Sequence, residues 1–317
     1  KHPTAVWTAL ADTQCFQTQN FIFEFDKSKG SSGYNATISK YEWKFGPDAT
    51  PSNVTETTAA RGERISGVTF DTAGVKTLQL VLTNQNGCTD TIKGNVFVLP
   101  NPEALWTVNT DSQCLRDNYF AFNSAGSNSV AGSTLTKFEW NFGAGAGTST
   151  KISPDPVTYT GAGNKNVVLT VTDKNGCQDT FGGSVVVKAN PIARITINSD
   201  SLQCLRGNAF DFDAKKSSQV LGLAKYYWDF GNGSSPKYDS TDNITDVIYS
   251  SFGNRRVSLR VIDNNGCDDT LSKLIVVKEH PFASYDVNDS TQCLRGNKYV
   301  LAIAMTEPDA GSNLAGM

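Results

Sequence analysis

Histidine is almost absent from this chain, with only His2 and His280 in 317 residues. Catalytic sets of the Ser/His/Asp or Cys/His kind need a histidine base, and zinc sites need closely spaced cysteine or histidine ligands. None of the seven cysteines forms a C-x2-C pair. The sequence therefore predicts that the protein is not an enzyme and has no cofactor.

Excess charge, long apolar runs and helical periodicity are also missing. The formal net charge is −3, only 19% of residues are charged, and no basic stripe is present, which argues against a nucleic-acid partner. No apolar run approaches the roughly 18 residues of a membrane helix. We expect no membrane span, and no glycine-rich phosphate loop between a strand and a helix.

What the chain does contain is a long internal repeat. Each period has a leading cysteine after glutamine, a strand with a central tryptophan, and a second cysteine in an Asn-Gly-Cys turn. The leading cysteines are 99, 90 and 89 residues apart, and the Asn-Gly-Cys cysteines 89 and 90 apart. A fixed long period identifies a tandem array. We divide it into module one (1–100), module two (101–189), module three (190–279) and a partial module (280–317).

Each module has the pattern of short β-strands. Phe21, Phe23 and Phe25 alternate with polar or smaller residues, as on a strand with one dry face. Asn-Gly between two β-rich runs is a strong hairpin signal, with both turn positions expected at positive φ. Core positions are predicted for the tryptophans of the middle strands, which are Trp43, Trp140 and Trp228. The sequence predicts antiparallel sandwiches of the immunoglobulin type.

The cysteines follow the same period, two to a full module. One pair at matching positions in each module favours disulfides over free buried thiols. The predicted pairs are Cys15–Cys88, Cys114–Cys177 and Cys204–Cys267, with Cys293 left unpaired. Such loops of 63 to 73 residues would stabilise each module by about 4 kcal/mol in the chain-entropy model. An oxidising compartment, extracellular or at the cell surface, is expected.

The motif Tyr-x-Trp-Asp-Phe-Gly at 226–231, followed by Val-x-Leu-x-Val-x-Asp-x-x-Gly at 257–266, resembles the PKD (polycystic kidney disease) domain, a seven-stranded immunoglobulin-like sandwich. The cysteine-bearing form resembles tandem PKD modules of secreted or cell-surface proteins of Bacteroidota. That resemblance implies an all-β array of PKD-type modules. It also implies O-glycosylation where Asp precedes Thr or Ser and an apolar residue, at Thr72, Thr91, Ser201 and Thr270; the alternative is that these tripeptides mark strand starts after turns.

Two other groups of residues leave alternatives open. Acidic and amide side chains around the hairpins could bind Ca²⁺ or could stabilise the turns; they include Asp173, Asn175, Asp179, Asp263, Asn265, Asp268 and Asp269. Trp7 and Trp106 lie on first strands, where contact with the neighbouring module is favoured over ligand binding. Because the linkers are only a few residues long, we expect a semi-rigid rod, with three modules reaching roughly 100 Å.

The partial module has a first strand, Cys293 and the start of a second strand, but no tryptophan strand. Either the array continues beyond the known sequence, which we favour, or another chain completes the fragment by strand addition. Residues 302–317 resemble a short flavin-contacting segment of acyl-CoA dehydrogenases. The rest of such an enzyme is missing, so we interpret this segment as an artefact or a junction.

Two functions are compatible with these patterns. The favoured one is an extracellular structural or adhesive repeat protein, in which the modules form a stalk, fibre or spacer. The alternative is a carbohydrate-binding accessory array of a secreted polysaccharide-degrading or protease system, which an exposed aromatic strip repeated in every module would favour. Expected partners are other copies or further modules of the array, and surface polymers or glycans.

Overall fold

The structure is a computed structural model that describes residues 2–25, 38–57, 64–143, 145–218, 222–280, 283–288 and 290–305. These residues form β-strands and one short 3-10 turn, with no α-helix among them. The chain divides into two compact units, Lys1–Val187 and Lys188–Met317. No helix in the described ranges is long and apolar enough to cross a membrane. The all-β, tandem-sandwich prediction is confirmed.

Module one is a sandwich of a four-stranded and a five-stranded sheet. Its strands are β1 (Trp7–Ala9), β2 (Thr13–Cys15), β3 (Phe21–Phe25), β4 (Ile38–Lys44), β5 (Ala49–Thr50), β6 (Asn53–Glu56), β7 (Arg64–Phe70), β8 (Gly74–Asn84) and β9 (Thr89–Leu99). The four-stranded sheet has the order β1-β3-β7-β5, and the five-stranded sheet the order β2-β9-β8-β4-β6. The 3-10 turn η1 (Phe16–Thr18) follows β2.

Modules two and three repeat this plan. Module two contains β10 (Thr107–Val108), β11 (Ser112–Cys114), β12 (Phe122–Asn123), β13 (Leu135–Asn141), β14 (Thr148–Ser149), β15 (Gly163–Asp173) and β16 (Gln178–Lys188). Module three contains β17 (Thr196–Ile197), β18 (Leu202–Cys204), β19 (Phe210–Asp213), β20 (Leu223–Asp229), β21 (Ser234–Ser235), β22 (Tyr238–Asp239), β23 (Asn243–Tyr249), β24 (Gly253–Asp263) and β25 (Asp268–Lys278). The large sheets are β11-β16-β15-β13-β14 and β18-β25-β24-β20-β22.

The first strand of each module is split between the two sheets. In module one, β1 pairs antiparallel with β3, whereas β2 pairs parallel with the end of β9, Thr13 to Cys15 lying beside Phe97 to Leu99. β18 pairs in parallel with β25 in the same way. We predicted purely antiparallel sandwiches, and these parallel pairs are the exception to that prediction. Splitting the first strand and adding short edge strands gives nine described strands in modules one and three, where the family resemblance implied seven.

Each module has its own hydrophobic core, centred on its middle-strand tryptophan. Trp43, Trp140 and Trp228 are at most 1% exposed, which confirms their predicted core positions. Each stacks on a phenylalanine two residues later, as Trp228 does on Phe230 with ring centroids 5.7 Å apart. Such aromatic contacts add to the free energy of burial.

The long hairpins β8–β9, β15–β16 and β24–β25 form where Asn-Gly predicted them. Only the glycine of each pair has a positive φ, with values of 79° at Gly87, 84° at Gly176 and 81° at Gly266. The preceding asparagine keeps a negative φ, so the prediction for it is wrong. The reason is that each loop is one residue longer than a two-residue turn: Asn84 N–H donates to Cys88 O, and Gly87 N–H donates to Asn84 O.

The partial module contributes a two-stranded hairpin. β26 (Ala283–Val287) pairs antiparallel with β27 (Leu301–Met305). The segment that resembles acyl-CoA dehydrogenases lies, from residue 306 onward, outside the described residues.

Candidate functional site: the junction of modules one and two

The Asn-Gly-Cys cysteines are positioned by the side chain that opens the hairpin turn. In module one, Asn84 Oδ1 accepts hydrogen bonds from the N–H groups of Asn86 (3.0 Å) and Cys88 (2.9 Å). In modules two and three an aspartate does the same, and Asp173 Oδ1 is 2.9 Å from Cys177 N. Since this side chain satisfies two backbone donors, the cysteine has a fixed place at the end of the hairpin.

The leading cysteines lie at the opposite end of the same strand. Cys15 is the last residue of β2 and lies beside Leu99, whereas Cys88 precedes Thr89, the first residue of β9. β9 has eleven residues and so spans roughly 33 Å at about 3.3 Å a residue. A disulfide needs Cα atoms closer than about 7 Å. The two cysteines of one module are therefore too far apart to bond.

The structure pairs the cysteines across the junction instead. Cys15 bonds Cys177, with an S–S distance of 2.06 Å and Cα atoms 5.4 Å apart. Cys88, Cys204 and Cys293 are free thiols, and Cys114 and Cys267 are also disulfide-bonded. The predicted pairs Cys15–Cys88, Cys114–Cys177 and Cys204–Cys267 are thus wrong. Each would have to span the length of a long strand.

Polar contacts surround the bond between Cys15 and Cys177. The Gln17 N–H donates to Asn101 Oδ1 (3.0 Å), and Gln17 Nε2 donates to Asp179 Oδ1 (3.3 Å). Asn101 Nδ2 donates to the carbonyl of Gln178. The junction therefore joins module one to module two through a peptide linker, a disulfide and the two hydrogen bonds of Gln17, while the bond from Asn101 to Gln178 holds the linker to module two.

The aspartate two residues after each Asn-Gly-Cys cysteine anchors the start of its own module. Asp179 Oδ2 accepts the N–H of Ala104 in module two at 2.8 Å, while its Oδ1 accepts the side chain of Gln17 from module one. Asp90 and Asp269 accept the corresponding N–H groups of Ala5 (2.6 Å) and Ala193 (2.8 Å). These carboxylates thus fix the first segment of each sandwich.

The hairpin carboxylates belong to turns in this structure. Asp263 Oδ1 accepts the N–H groups of Asn265 and Cys267, both at 2.8 Å. Within the part of the chain that the structure describes, no three His, Cys, Asp or Glu side chains come close enough together to hold a metal ion. These contacts support the turn alternative over the calcium alternative.

Trp7 and Trp106 pack inside their own modules, so the expected contact with a neighbouring module is wrong. Trp7 meets Phe23 and Trp43 edge-on. A Cβ added to Gly94 would lie 2.2 Å from the Trp7 ring, and one on Gly183 would lie 2.4 Å from the ring of Trp106. Each ring thus covers a glycine of its own large sheet.

The four predicted glycosylation positions are all exposed: Thr72, Thr91, Ser201 and Thr270. Thr72 lies in the turn between β7 and β8, where its hydroxyl donates to Asp48 Oδ2 at 3.0 Å. Thr91 and Thr270 lie within strands β9 and β25. Their modification stays a prediction.

Comparison with known proteins identifies the module type. A family model described as "PKD domain" matches residues 101–189 and 188–278, more than half of the chain. The pre-pro-metalloprotease PrtV of Vibrio cholerae is 27% identical over 150 residues, 47% of this chain and 15% of the metalloprotease. The crystal structure of the PKD1 domain of Vibrio cholerae PrtV is 30% identical over 27% of this chain and 96% of that one, with a TM-score of 0.24. An ice-binding adhesin of an Antarctic bacterium is 12% identical over 88% of this chain and 74% of that chain, with a TM-score of 0.36.

Proposed function

The chain belongs to the PKD domain family, and on that premise we propose that it is an extracellular structural repeat whose modules are fastened to one another to make a stiff spacer or stalk. The observation that supports this most directly is the disulfide between Cys15 of module one and Cys177 of module two. A disulfide within a module would stabilise that module alone. One between modules limits their relative motion.

The linker and the disulfide act together. Domains joined by one peptide segment move relative to each other by default. Here the linker after Leu99 is only a few residues long, and the disulfide adds a second covalent connection. Gln17 of module one adds two hydrogen bonds to module two, at Asn101 and Asp179. We therefore expect modules one and two to behave as one stiff body.

The chemistry of the cysteines favours a location outside the cell. Disulfides persist in secreted and surface proteins, whereas cytosolic reductants keep thiols reduced. The PrtV relative is a metalloprotease by name, and this chain spans only 15% of it. That match concerns a small part of PrtV, so protease activity is no part of the proposal.

The carbohydrate-binding alternative is less well supported. Tyr227 and Tyr238 are exposed on the large sheet of module three. At the position of Tyr227 the other modules have Glu42 and Glu139, so these exposed aromatics do not recur in each module. Pull-down of the whole chain on insoluble polysaccharides tests this alternative, and retention that is lost in Tyr227→Ala would favour it over the spacer.

The spacer is tested by measuring how modules one and two align. We expect residual dipolar couplings of the two modules in the oxidised chain to fit one common alignment tensor. In the double variant Cys15→Ser, Cys177→Ser the tensors should diverge, because the linker is then the one covalent connection left and the hydrogen bonds of Gln17 are exposed to solvent. The single variant Cys88→Ser, which removes a thiol outside the junction, is the matched control. Independent tensors in the oxidised wild-type chain would contradict the proposal.

A further inference from the structure

We propose that module three has a binding pocket for an acidic sugar, a single unit that bears a carboxylate or a sulfate, where an edge of its small sheet meets its large sheet. The pocket is a cavity of about 430 Å³, lined by β17 and the residues flanking it, by the turn after β19 and by β25. Its volume lies in the usual range of small-molecule sites. This inference goes beyond the spacer role and does not depend on it.

The first argument is charge. Three of the eight lining residues are cations with exposed side chains: Arg194, Lys216 and Lys273. The lining, all of it within the described residues, contains no Asp or Glu. Asp213, on the strand beside β17, is buried and accepts hydrogen bonds from Asn198 Nδ2 (2.8 Å) and the N–H of Lys215 (3.0 Å). The cavity is thus locally positive in a chain of net charge −3, and an anion is its complementary ligand.

The second argument is that the cavity lies where the other modules have an indole ring. In module two, Trp106 covers Gly183, and a Cβ added to this glycine would lie 2.4 Å from the ring. Module three has Ile195 and Lys273 at these positions, with the lysine in the same register of the long hairpin. Because isoleucine is smaller than tryptophan, the space beside the large sheet is left unfilled, and a cation borders it.

A second apolar contact of module two is replaced by charge at the same place. Leu105 packs over Gly126, where an added Cβ would lie 3.2 Å from the leucine side chain. The equivalent residues are Arg194 and Lys216, because the serine in this turn makes the same two backbone hydrogen bonds in both modules. Four positions therefore differ together, and three of them carry a positive charge in module three. Joint differences around one cavity indicate a ligand site rather than scattered surface variation.

The loop after β17 is also longer in module three. The backbone hydrogen bonds of Asn198 and Ser201 match those of Asn109 and Asp111 in module two, but two residues lie between them instead of one. This longer loop contributes Ser199 and Ser201 to the lining. The extra residue thus adds hydroxyl groups to the cavity that the cations surround.

The uncharged groups of the lining favour a sugar over a bare anion. The hydroxyl groups belong to Thr196, Ser199 and Ser201. Ser199 Oγ accepts the N–H of Asp211 at 3.0 Å, which leaves the proton of this hydroxyl to donate. Hydroxyl groups both donate and accept, as the hydroxyls of a sugar require. Ile195 and Ile197 supply an apolar wall, against which the C–H face of a sugar ring can lie.

The acidic group of the sugar is expected to lie among the three cations. The planar guanidinium of Arg194 can donate two N–H groups to one carboxylate or sulfate. The ammonium groups of Lys216 and Lys273 are point charges on flexible stems, and they balance the remaining charge. The cations therefore select for an acidic group, and the hydroxyls and isoleucines select for a sugar ring.

The test is an NMR titration of the full chain with two acidic sugars, galacturonate and N-acetylglucosamine 6-sulfate. Their neutral counterparts, galactose and N-acetylglucosamine, lack only the acidic group. We expect an acidic sugar to shift the amide signals of residues 194–201, 216 and 273. It should bind about ten-fold or more tightly than its neutral counterpart, the effect of one charge-assisted hydrogen bond. The sugar that binds more tightly shows whether a carboxylate or a sulfate is preferred.

Variants place the binding in the cavity. Arg194→Gln and Lys273→Gln should each weaken binding about five-fold or more. The matched control is Lys225→Gln, which removes the same charge from an exposed strand residue outside the lining and should leave the affinity unchanged. The double variant Ile195→Trp, Lys273→Gly copies the pair with which module two folds. It should fill the cavity and abolish the shifts.

Several results would overturn the proposal. They are binding of neither acidic sugar, equal binding of the neutral sugars, an equal loss in the Lys225→Gln control, or binding that persists in the double variant. Sodium sulfate or N-acetyl-aspartate binding as tightly as the acidic sugar would also overturn it, because the ligand would then be a free anion or an acidic peptide. The alignment of modules one and two depends on none of these results, so the spacer is tested separately.

Discussion

In modules one and three, the loop after the leading cysteine is held by hydrogen bonds from different amide side chains, Gln19 in module one and Asn208 in module three. We call this side chain the amide clamp. The difference shows how a repeat accepts a change of residue. The clamping residue is the fourth after the leading cysteine in each case. In module three, Asn208 donates to the carbonyls of Leu205 and Tyr249 and accepts the N–H of Tyr249 at 2.7 Å. In module one, Gln19 makes the equivalent bonds to Phe16 and Phe70.

The backbone explains the choice of side chain. In modules two and three the residue before the clamp is left-handed, with φ of 59° at Asp117 and 76° at Gly207. In module one the same stretch is the 3-10 turn Phe16–Thr18. The longer side chain of Gln19 compensates for the different loop path. The repeat thus preserves the hydrogen bonds rather than the residue.

A second pair of positions changes together between these modules. Trp7 of module one covers Gly94, where an added Cβ would lie 2.2 Å from the ring. In module three the tryptophan position is Ile195 and the glycine position is Lys273. Because Ile195 is smaller than a tryptophan, the position opposite it has room for the long side chain of Lys273. Packing across the two sheets, and not the strand pattern alone, therefore limits which residues each position accepts.

The largest expected effect is at the core tryptophans. Trp228→Ala should destabilise module three by about 3 to 5 kcal/mol, the usual cost of emptying a large aromatic site. The indole N–H of Trp228 also donates to Thr241 O at 3.0 Å, whereas the buried indole N–H of Trp43 has no partner among the residues that the structure describes. We therefore expect Trp43→Ala to cost module one somewhat less. Hydrogen exchange with mass spectrometry follows each module separately, and equal protection loss in all three modules would contradict separate cores.

Removing the amide clamp should have the next largest effect. Asn208→Ala leaves the buried N–H and C=O of Tyr249 without their partner, which should cost about 2 to 3 kcal/mol. Gln19 is less buried than Asn208, so water can replace part of its bonds, and Gln19→Ala should cost about 1 kcal/mol. Denaturant melts followed by module-resolved exchange give both values. A larger loss at Gln19 than at Asn208 would show that this comparison is wrong.

The tryptophan–glycine pair predicts a rescue. Gly94→Lys should push the Trp7 ring out of place and destabilise module one by about 1 to 3 kcal/mol, as overpacking does. Adding Trp7→Ile copies the module-three pair and should recover at least half of that loss. The measurement is a double-mutant cycle in urea, with Gly182→Lys as the control for mutating a strand glycine, because a Cβ at Gly182 of module two would meet nothing within 4 Å. Additive losses would contradict the proposed compensation.

Much of the fold could be predicted because its signals are local. Alternating phenylalanines and Asn-Gly turns specify strands and hairpins through their neighbours in sequence. The period then extends each local result to the other modules. By the same logic the burial of Trp43, Trp140 and Trp228 in their cores follows from the residues that flank them.

The site could not be predicted because it depends on the register of a three-residue strand. One cysteine pair per period indicates which positions bond, but not which modules they come from. That choice follows from Cys15 lying beside Leu99 at the far end of β9, and a strand as short as Thr13–Cys15 has no pattern that reveals its partner. One signal in the sequence was available. Trp7 and Gly94 of module one are both replaced in module three, by Ile195 and Lys273. This joint change indicates that the first-strand tryptophan packs against that glycine of its own module.

The smallest expected effect concerns a cation that all three modules hold over a ring. Lys76 lies 5.6 Å from the ring centre of Phe70, and Arg255 lies 5.7 Å from that of Tyr249. Within the described part of the chain, Lys76 is the one cation of these three that also contacts a carboxylate, with its Nζ 2.5 Å from Asp48 Oδ2. Arg255 donates instead to the carbonyls of Ser251 and Phe252. Module one should therefore be the more acid-sensitive of the two.

The sign follows from the pKa of Asp48, which the hydrogen bond from Lys76 lowers below its usual value of 3.8. A carboxyl whose pKa is lower in the folded state stabilises the protein fully above its unfolded pKa and loses that contribution as the pH falls through its folded pKa. Because the side chain of Asp48 is 35% exposed, solvent weakens the pair and we expect less than about 1 kcal/mol. Urea melts resolved by module between pH 6 and about pH 2.5 should show this extra loss in module one. Asp48→Asn should remove it, and an equal acid loss in module one of that variant would mean that other carboxylates are responsible.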